Sequence, residues 1–146
     1  MPVDPAIVTE NTSLTERLSA LVARLSDSDL TLDLGEGWTP AVALAHAAFW
    51  DRRAVRVFER WVHDGTPYRD QDDDILNTAL LDEWRAIPPR RAAELAVEAA
   101  RSIDRTIGGL PDNVVAAVIA QGDDFLLRRS GHRREHVEQI EAATAS

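Results

Sequence analysis

At 146 residues the chain has the length of one domain able to bury its own core without disulfides or a structural metal. Its net charge of −9 excludes the basic face that sequence-independent nucleic-acid binding demands. Cysteine is absent and all sixteen basic residues are arginine, which excludes thiolate nucleophiles, thiolate metal ligands and lysine Schiff-base or general-base chemistry.

Residues 1–11 are polar, proline-containing and aperiodic, and read as a loosely attached lead-in. A first helix is expected from Ser13 to Asp27, with Leu14, Leu18, Leu21, Val22 and Leu25 on one face and Ser13 and Glu16 as a capping box. Leu30–Leu34 alternates like a strand but has no partner strand, so it reads as an extended connection. Gly35-Glu36-Gly37-Trp38-Thr39-Pro40 is a start signal, with Thr39 as cap and Pro40 at the first helical position of a helix running to His63 and stopped by Gly65. An acidic loop follows over 66–73, lacking the glycine and terminal glutamate of an EF-hand. Asp74 then caps a helix through Trp84, and Pro88-Pro89 separates it from another that runs to Ile107 and ends at Gly108-Gly109. Val114–Ala120 reads as a short helix, and a last helix is expected from Asp123 to Ala143.

No repeat, low-complexity tract or second domain interrupts this pattern, so residues 1–146 are expected to form one all-α domain, a four-helix bundle with short additional helices. No apolar run is long enough to cross a bilayer, and the first residues lack the basic start and apolar core of a signal peptide. A cytoplasmic protein is therefore expected.

Chemistry concentrates in the last helix. His132 and His136, four residues apart, stand one turn above each other on one face, roughly 6 Å apart along the axis. Phe125, His132, His136, Ile140 and Ala143 share one stripe, so both imidazoles are expected to point inward. His46 lies on the inward sector of the Pro40–His63 helix. If those two helices are neighbours, three imidazoles face each other across the core. Such a set binds zinc or nickel and leaves a coordination position for water or substrate, the pattern of a catalytic site. The competing reading is three packed, hydrogen-bonded histidines. His63 serves as a control, since its place in the last helical turn suits the helix dipole. Arg53 and Arg129 lie near the histidine stripes, where each could clamp an anion or simply pair with an acidic residue. Trp50 is a candidate pocket wall, and with Arg53 a candidate substrate-binding residue. Glu135 is angled away from His136 and suits a supporting or solvent-facing role.

Gly37-Trp38-Thr39-Pro40 with Leu44-Ala45-His46, then Asn77 and Glu83-Trp84, and finally His132–Ile140 resemble the DinB-like four-helix-bundle superfamily. That superfamily includes the mycothiol-dependent maleylpyruvate isomerase type and the bacillithiol transferases. The resemblance implies His46, His132 and His136 as metal ligands, an up-down-down-up bundle and frequently a homodimer. It also implies mycothiol or another low-molecular-weight thiol as cofactor, transferred to a small electrophile, and the lack of cysteine fits a sulfur supplied from outside. The chain departs from similar sequences in lacking the isomerase branch's larger C-terminal domain and in carrying Arg133 where an aromatic residue is common. The expectation is a metal-binding, thiol-dependent transferase or isomerase acting on a small molecule, with a non-enzymatic binding or resistance protein of the same fold as the alternative.

Overall fold

Asp4 and Pro5 begin the first helix. The Asp4 carboxylate accepts from the Ala6 amide at 2.9 Å, and Pro5 occupies a position whose amide needs no partner. The computed structural model describes residues 2–145. Its helices are α1 (Pro5–Arg24), α2 (Asp27–Leu30), α3 (Pro40–Asp64), α4 (Asp73–Ala86), α5 (Pro89–Gly108), α6 (Asp112–Gln121) and α7 (Ser130–Thr144), with a 3₁₀ turn over Asp124–Leu126. No strand occurs among the described residues; the one bridge pairs Gly35 with Trp38.

Segment 1–11 is therefore not a loose lead-in: it is helical from Pro5, and Ile7 and Asn11 are buried. Met1 lies outside the described residues. Ser13 and Glu16 sit inside α1 rather than capping it, and the capping box forms instead at Ser26 and Asp29, which start α2. The Thr39–Gly65 reading of α3 holds: the Thr39 hydroxyl accepts from the Val42 amide at 3.1 Å, and Gly65 takes the left-handed conformation (φ 78°) that closes the helix. Asp72, not Asp74, caps α4. The last helix begins at Ser130 rather than Asp123, because the chain turns through the 3₁₀ segment first; this leaves Phe125 exposed instead of on the buried stripe.

The long helices close on one another in a ring: α3 packs on α5, α5 on α1, α1 on α7, and α7 back on α3, while α4 lies against α3. Alanines 92, 93, 96, 99 and 100 face inward from α5 and let its backbone come close to α1 and α3. Leu18, Leu21, Leu44, Val137 and Ile140 fill one part of the core, and Phe58, Trp61, Ile103, Val115 and Leu126 fill another.

Between these apolar regions runs a buried ionic network that joins all four ring helices. Asp51 on α3 accepts from Arg129 Nε at 3.0 Å and from Arg133 Nη2 at 3.3 Å. Arg133 Nη1 donates in turn to the Asn11 carbonyl (2.8 Å), the Thr15 hydroxyl (2.7 Å) and Asp104 of α5 (3.3 Å). Thr15 also donates to Asp104. Asn11 reaches the start of α7 by donating to the Leu127 carbonyl and accepting from the Ser130 amide. Two carboxylates balance two guanidiniums, so the network is neutral as a unit, which is the condition for burying charge at tolerable cost.

Removing one member breaks that balance. Asp51→Ala leaves Arg129 without its counter-ion in a buried setting, and urea denaturation should show a loss of about 3–5 kcal/mol. Arg91→Ala, which breaks only the exposed pairs with Glu94 and Glu98, should leave the urea midpoint close to that of the parent protein. Equal effects from the two substitutions would contradict the network's role.

Candidate metal centre

α3 and α7 run side by side, so His46, near the start of α3, meets the first turns of α7. Ser130 starts α7 just before His132, and its amide is held by Asn11, which fixes where the His132–His136 pair stands. The structure brings the three imidazoles together. His132 Nε2 lies 3.0 Å from His46 Nε2 and 3.0 Å from His136 Nε2, and the three nitrogens that could serve as ligands all fall within 4.8 Å of one another. The ring centroids are 4.6–5.0 Å apart.

Neighbouring aromatics hold His46 in place. Trp38 and Trp84 each stand edge-on to it with centroids 5.1 Å away. Trp38 is delivered by the tight turn at Gly35–Gly37, where the Leu34 amide donates to the Trp38 carbonyl at 2.8 Å, the Trp38 amide donates to the Gly35 carbonyl at 3.0 Å, and three consecutive residues, Gly35, Glu36 and Gly37, have positive φ. Trp50 donates its indole N–H to Asn77 Oδ1 at 2.9 Å, tying α4 to the same corner.

Burial pushes the imidazoles toward their neutral forms: His46 falls to about 4 and His132 to about 2, the latter also opposed by the other two rings and by the charges of Arg129 and Arg133. His136 is lowered by the same burial, with Glu135 acting the other way. All three therefore carry free lone pairs at neutral pH, the form a metal requires.

The donor geometry fits a shared cation better than hydrogen bonding alone. A neutral imidazole nitrogen carries either a proton or a lone pair, so His132 Nε2 can make one good hydrogen bond, yet it faces two other nitrogens at 3.0 Å. Two imidazole ligands of one zinc ion, each bonded at about 2.0–2.1 Å, stand about 3.0–3.4 Å apart. Nδ1 of His46 and of His136 are buried without a partner. Asn77 and Gln139 are polar side chains beside the rings of His46 and His136.

A pocket of about 280 Å³ opens beside His46 and His132, walled by Trp50, Tyr68, Phe125, Leu126 and Arg129, with Arg53 at its edge. His136 borders a separate cavity, with Trp38, Glu135 and Gln139. Of the residues singled out in the sequence, Trp50 and Arg53 do line the triad's pocket. The Arg53 guanidinium lies 5.5 Å from the Trp50 ring and 5.2 Å from that of Tyr68, and Gln71, with its carbonyl turned inward, accepts from Arg53 Nε at 2.9 Å. His63 is exposed at the end of α3, apart from the triad. Glu135 is exposed and is not among the three clustered residues. Asp51, Asp104, Asn11 and Thr15 were invisible as a supporting network in the sequence, since no spacing relates residues on three different helices. Tyr68 sits in an irregular segment that no periodicity singles out.

No family model, curated protein or solved structure matches the chain. No described helix is long and apolar enough to cross a membrane.

The depressed imidazole pKa values set a pH dependence for the metal-free protein. Between about pH 6.5 and pH 4 the unfolded chain takes up a proton at His46 that the folded chain refuses, so stability must fall as the pH drops through that window. His46 alone should contribute about 3 kcal/mol of the loss. Urea denaturation of metal-free protein at a series of pH values should show it, and His46→Gln should flatten the slope; identical slopes would contradict the burial of a neutral ring.

Proposed function

We propose that the chain is a metal-dependent protein of the DinB-like type, in which His46, His132 and His136 hold one zinc or nickel ion and the adjoining pocket receives a small electrophilic molecule. The observation that carries this reading is the position of His132 Nε2, equidistant at 3.0 Å from two other imidazole nitrogens, all three rings being neutral. The ring of α3, α5, α1 and α7 is read as an up-down-down-up four-helix bundle, and a homodimer is the expected assembly. The sequence resemblance supports both.

A bound ion would supply Lewis acidity at the pocket floor, lowering the pKa of a thiol or water ligand. The chain's own residues do the rest. Three imidazoles would leave at least one coordination position for water or a ligand, and the pocket is lined by two of them, His46 and His132. Trp50, Phe125 and Leu126 line that approach with apolar surface and limit water. The chain offers no cysteine or lysine nucleophile, so a low-molecular-weight thiol, mycothiol or a relative, supplies the sulfur in the transferase or isomerase reaction we infer. Arg53, held against two aromatic faces, orients the incoming molecule at the mouth.

A second reading has its own support. The aromatic wall of Trp50, Tyr68 and Phe125 makes a binding surface that does not depend on the triad, as a sequestering or resistance protein would need. Ligand retention unaffected by chelation would favour it.

Tag-free protein in a hundredfold excess of zinc or nickel over Kd should melt about 5–10 °C higher than metal-free protein. His132→Ala should abolish the shift. The metal-loaded protein should consume a model electrophile only when a low-molecular-weight thiol is added. The absence of any shift with first-row divalent metals would contradict the metal centre.

A further inference from the structure

The triad's pocket contains a buried arginine whose charge is met by Asp51 but whose hydrogen-bond donors are only partly used. Arg129 is 8 % exposed, and its Nε donates to Asp51 Oδ1 at 3.0 Å. The other oxygen of Asp51 is taken by Arg133 Nη2 at 3.3 Å. Among the described residues, neither Nη atom of Arg129 donates to a protein acceptor, and neither is sealed from solvent without a partner, as Arg133 Nε is. Arg129 is one of the residues lining the pocket, and its two unengaged Nη donors are the groups it can offer a ligand there.

The remaining walls define what such a cation would hold. Arg53 brings a second positive charge to the edge, against Trp50 and Tyr68. Asp73 is the one carboxylate lining the pocket and is itself exposed. Two guanidiniums thus line the pocket against one carboxylate, with the Arg129 charge met from behind by Asp51. Phe125 stands edge-on to Tyr68 with centroids 5.4 Å apart, and with Trp50 these rings form an apolar wall. At about 280 Å³ the space suits a small molecule.

We propose that this pocket is a receptor for a small carboxylate with a planar apolar body. The carboxylate takes the two free Nη donors of Arg129 end-on, since the Nε edge is committed to Asp51, and the planar body lies against Trp50, Tyr68 and Phe125. A compact tetrahedral anion would use the arginine but leave the aromatic wall bare. The proposal names the substrate class for the reading above, and rests on that reading only in placing the ligand next to a reactive centre.

Titration of metal-free protein with benzoate, with its uncharged isostere benzamide and with inorganic phosphate, followed by tryptophan fluorescence, tests it. Benzoate should quench at concentrations about tenfold or more below those of benzamide, with phosphate also weaker than benzoate. Arg129→Met should remove the preference, and Trp50→Phe should remove most of the signal. Arg129→Lys covers the case in which the methionine variant fails to fold: it keeps a charge for Asp51 but has no planar fork, and should weaken benzoate. Equal affinities for benzoate and benzamide, phosphate binding as tight as benzoate, or benzoate binding unchanged in either Arg129 variant would each overturn the proposal. Benzoate binding that requires zinc and ignores Arg129 would overturn it while leaving the metal centre standing. Arg129-dependent binding by a protein that takes up no zinc would sustain the receptor and remove the metal.

Discussion

The two oxygens of Asp51 are divided between Arg129 and Arg133, and that shared carboxylate is what sets α3 against α7. Asp51 lies five residues after His46, about 7.5 Å along the helix axis. On α7, His132 sits between Arg129 and Arg133. Register between the two helices is thus fixed by an ionic contact next to the histidines, where apolar packing alone would tolerate sliding. Hydrophobic contacts are non-directional, whereas a guanidinium–carboxylate pair is satisfied in few geometries. Arg133 extends the constraint to α1 through Asn11 and Thr15, and to α5 through Asp104. The convergence of three imidazoles is a consequence of this clamp as much as of their own positions.

The same arrangement explains the electrostatics. Three neutral rings pressed together sit beside two buried cations, which oppose any proton on His132. Keeping those rings neutral costs stability in acid and leaves three lone pairs directed toward one region in neutral solution. The surrounding chain is strongly acidic, yet its acidic residues lie mainly on the outside. The pocket beside the triad is lined by Arg53 and Arg129 with a single carboxylate, Asp73.

Helix periodicity made α3 and α5 legible almost to the residue, because Thr39-Pro40, Gly65, Pro88-Pro89 and Gly108-Gly109 are boundary signals that act locally. The inward phase of His46 and of the His132–His136 pair could be read for the same reason. The start of the first helix is hidden because residues 1–11 are polar and aperiodic, and only the contacts of Asn11 with Leu127, Ser130 and Arg133 show why a polar residue belongs on its buried face. Phe125 was misplaced because one apolar residue continues a periodic stripe on paper, while the backbone leaves the helix at Leu127–Arg129. Arg129 is legible as a basic residue near the histidines, but the acceptor it shares with Arg133, Asp51 on a helix nearly eighty residues earlier, is not. The pocket's Tyr68 and its contact with Phe125 join two irregular segments, where no period operates.

Everything functional follows from whether the three imidazole nitrogens bind one ion. X-ray absorption at the zinc edge, on tag-free protein loaded with one equivalent of zinc, reports that directly. The account predicts a first shell containing three nitrogen scatterers at about 2.0–2.1 Å, with the outer-shell signature of three imidazole rings. A shell dominated by oxygen, with one imidazole or none, would contradict it.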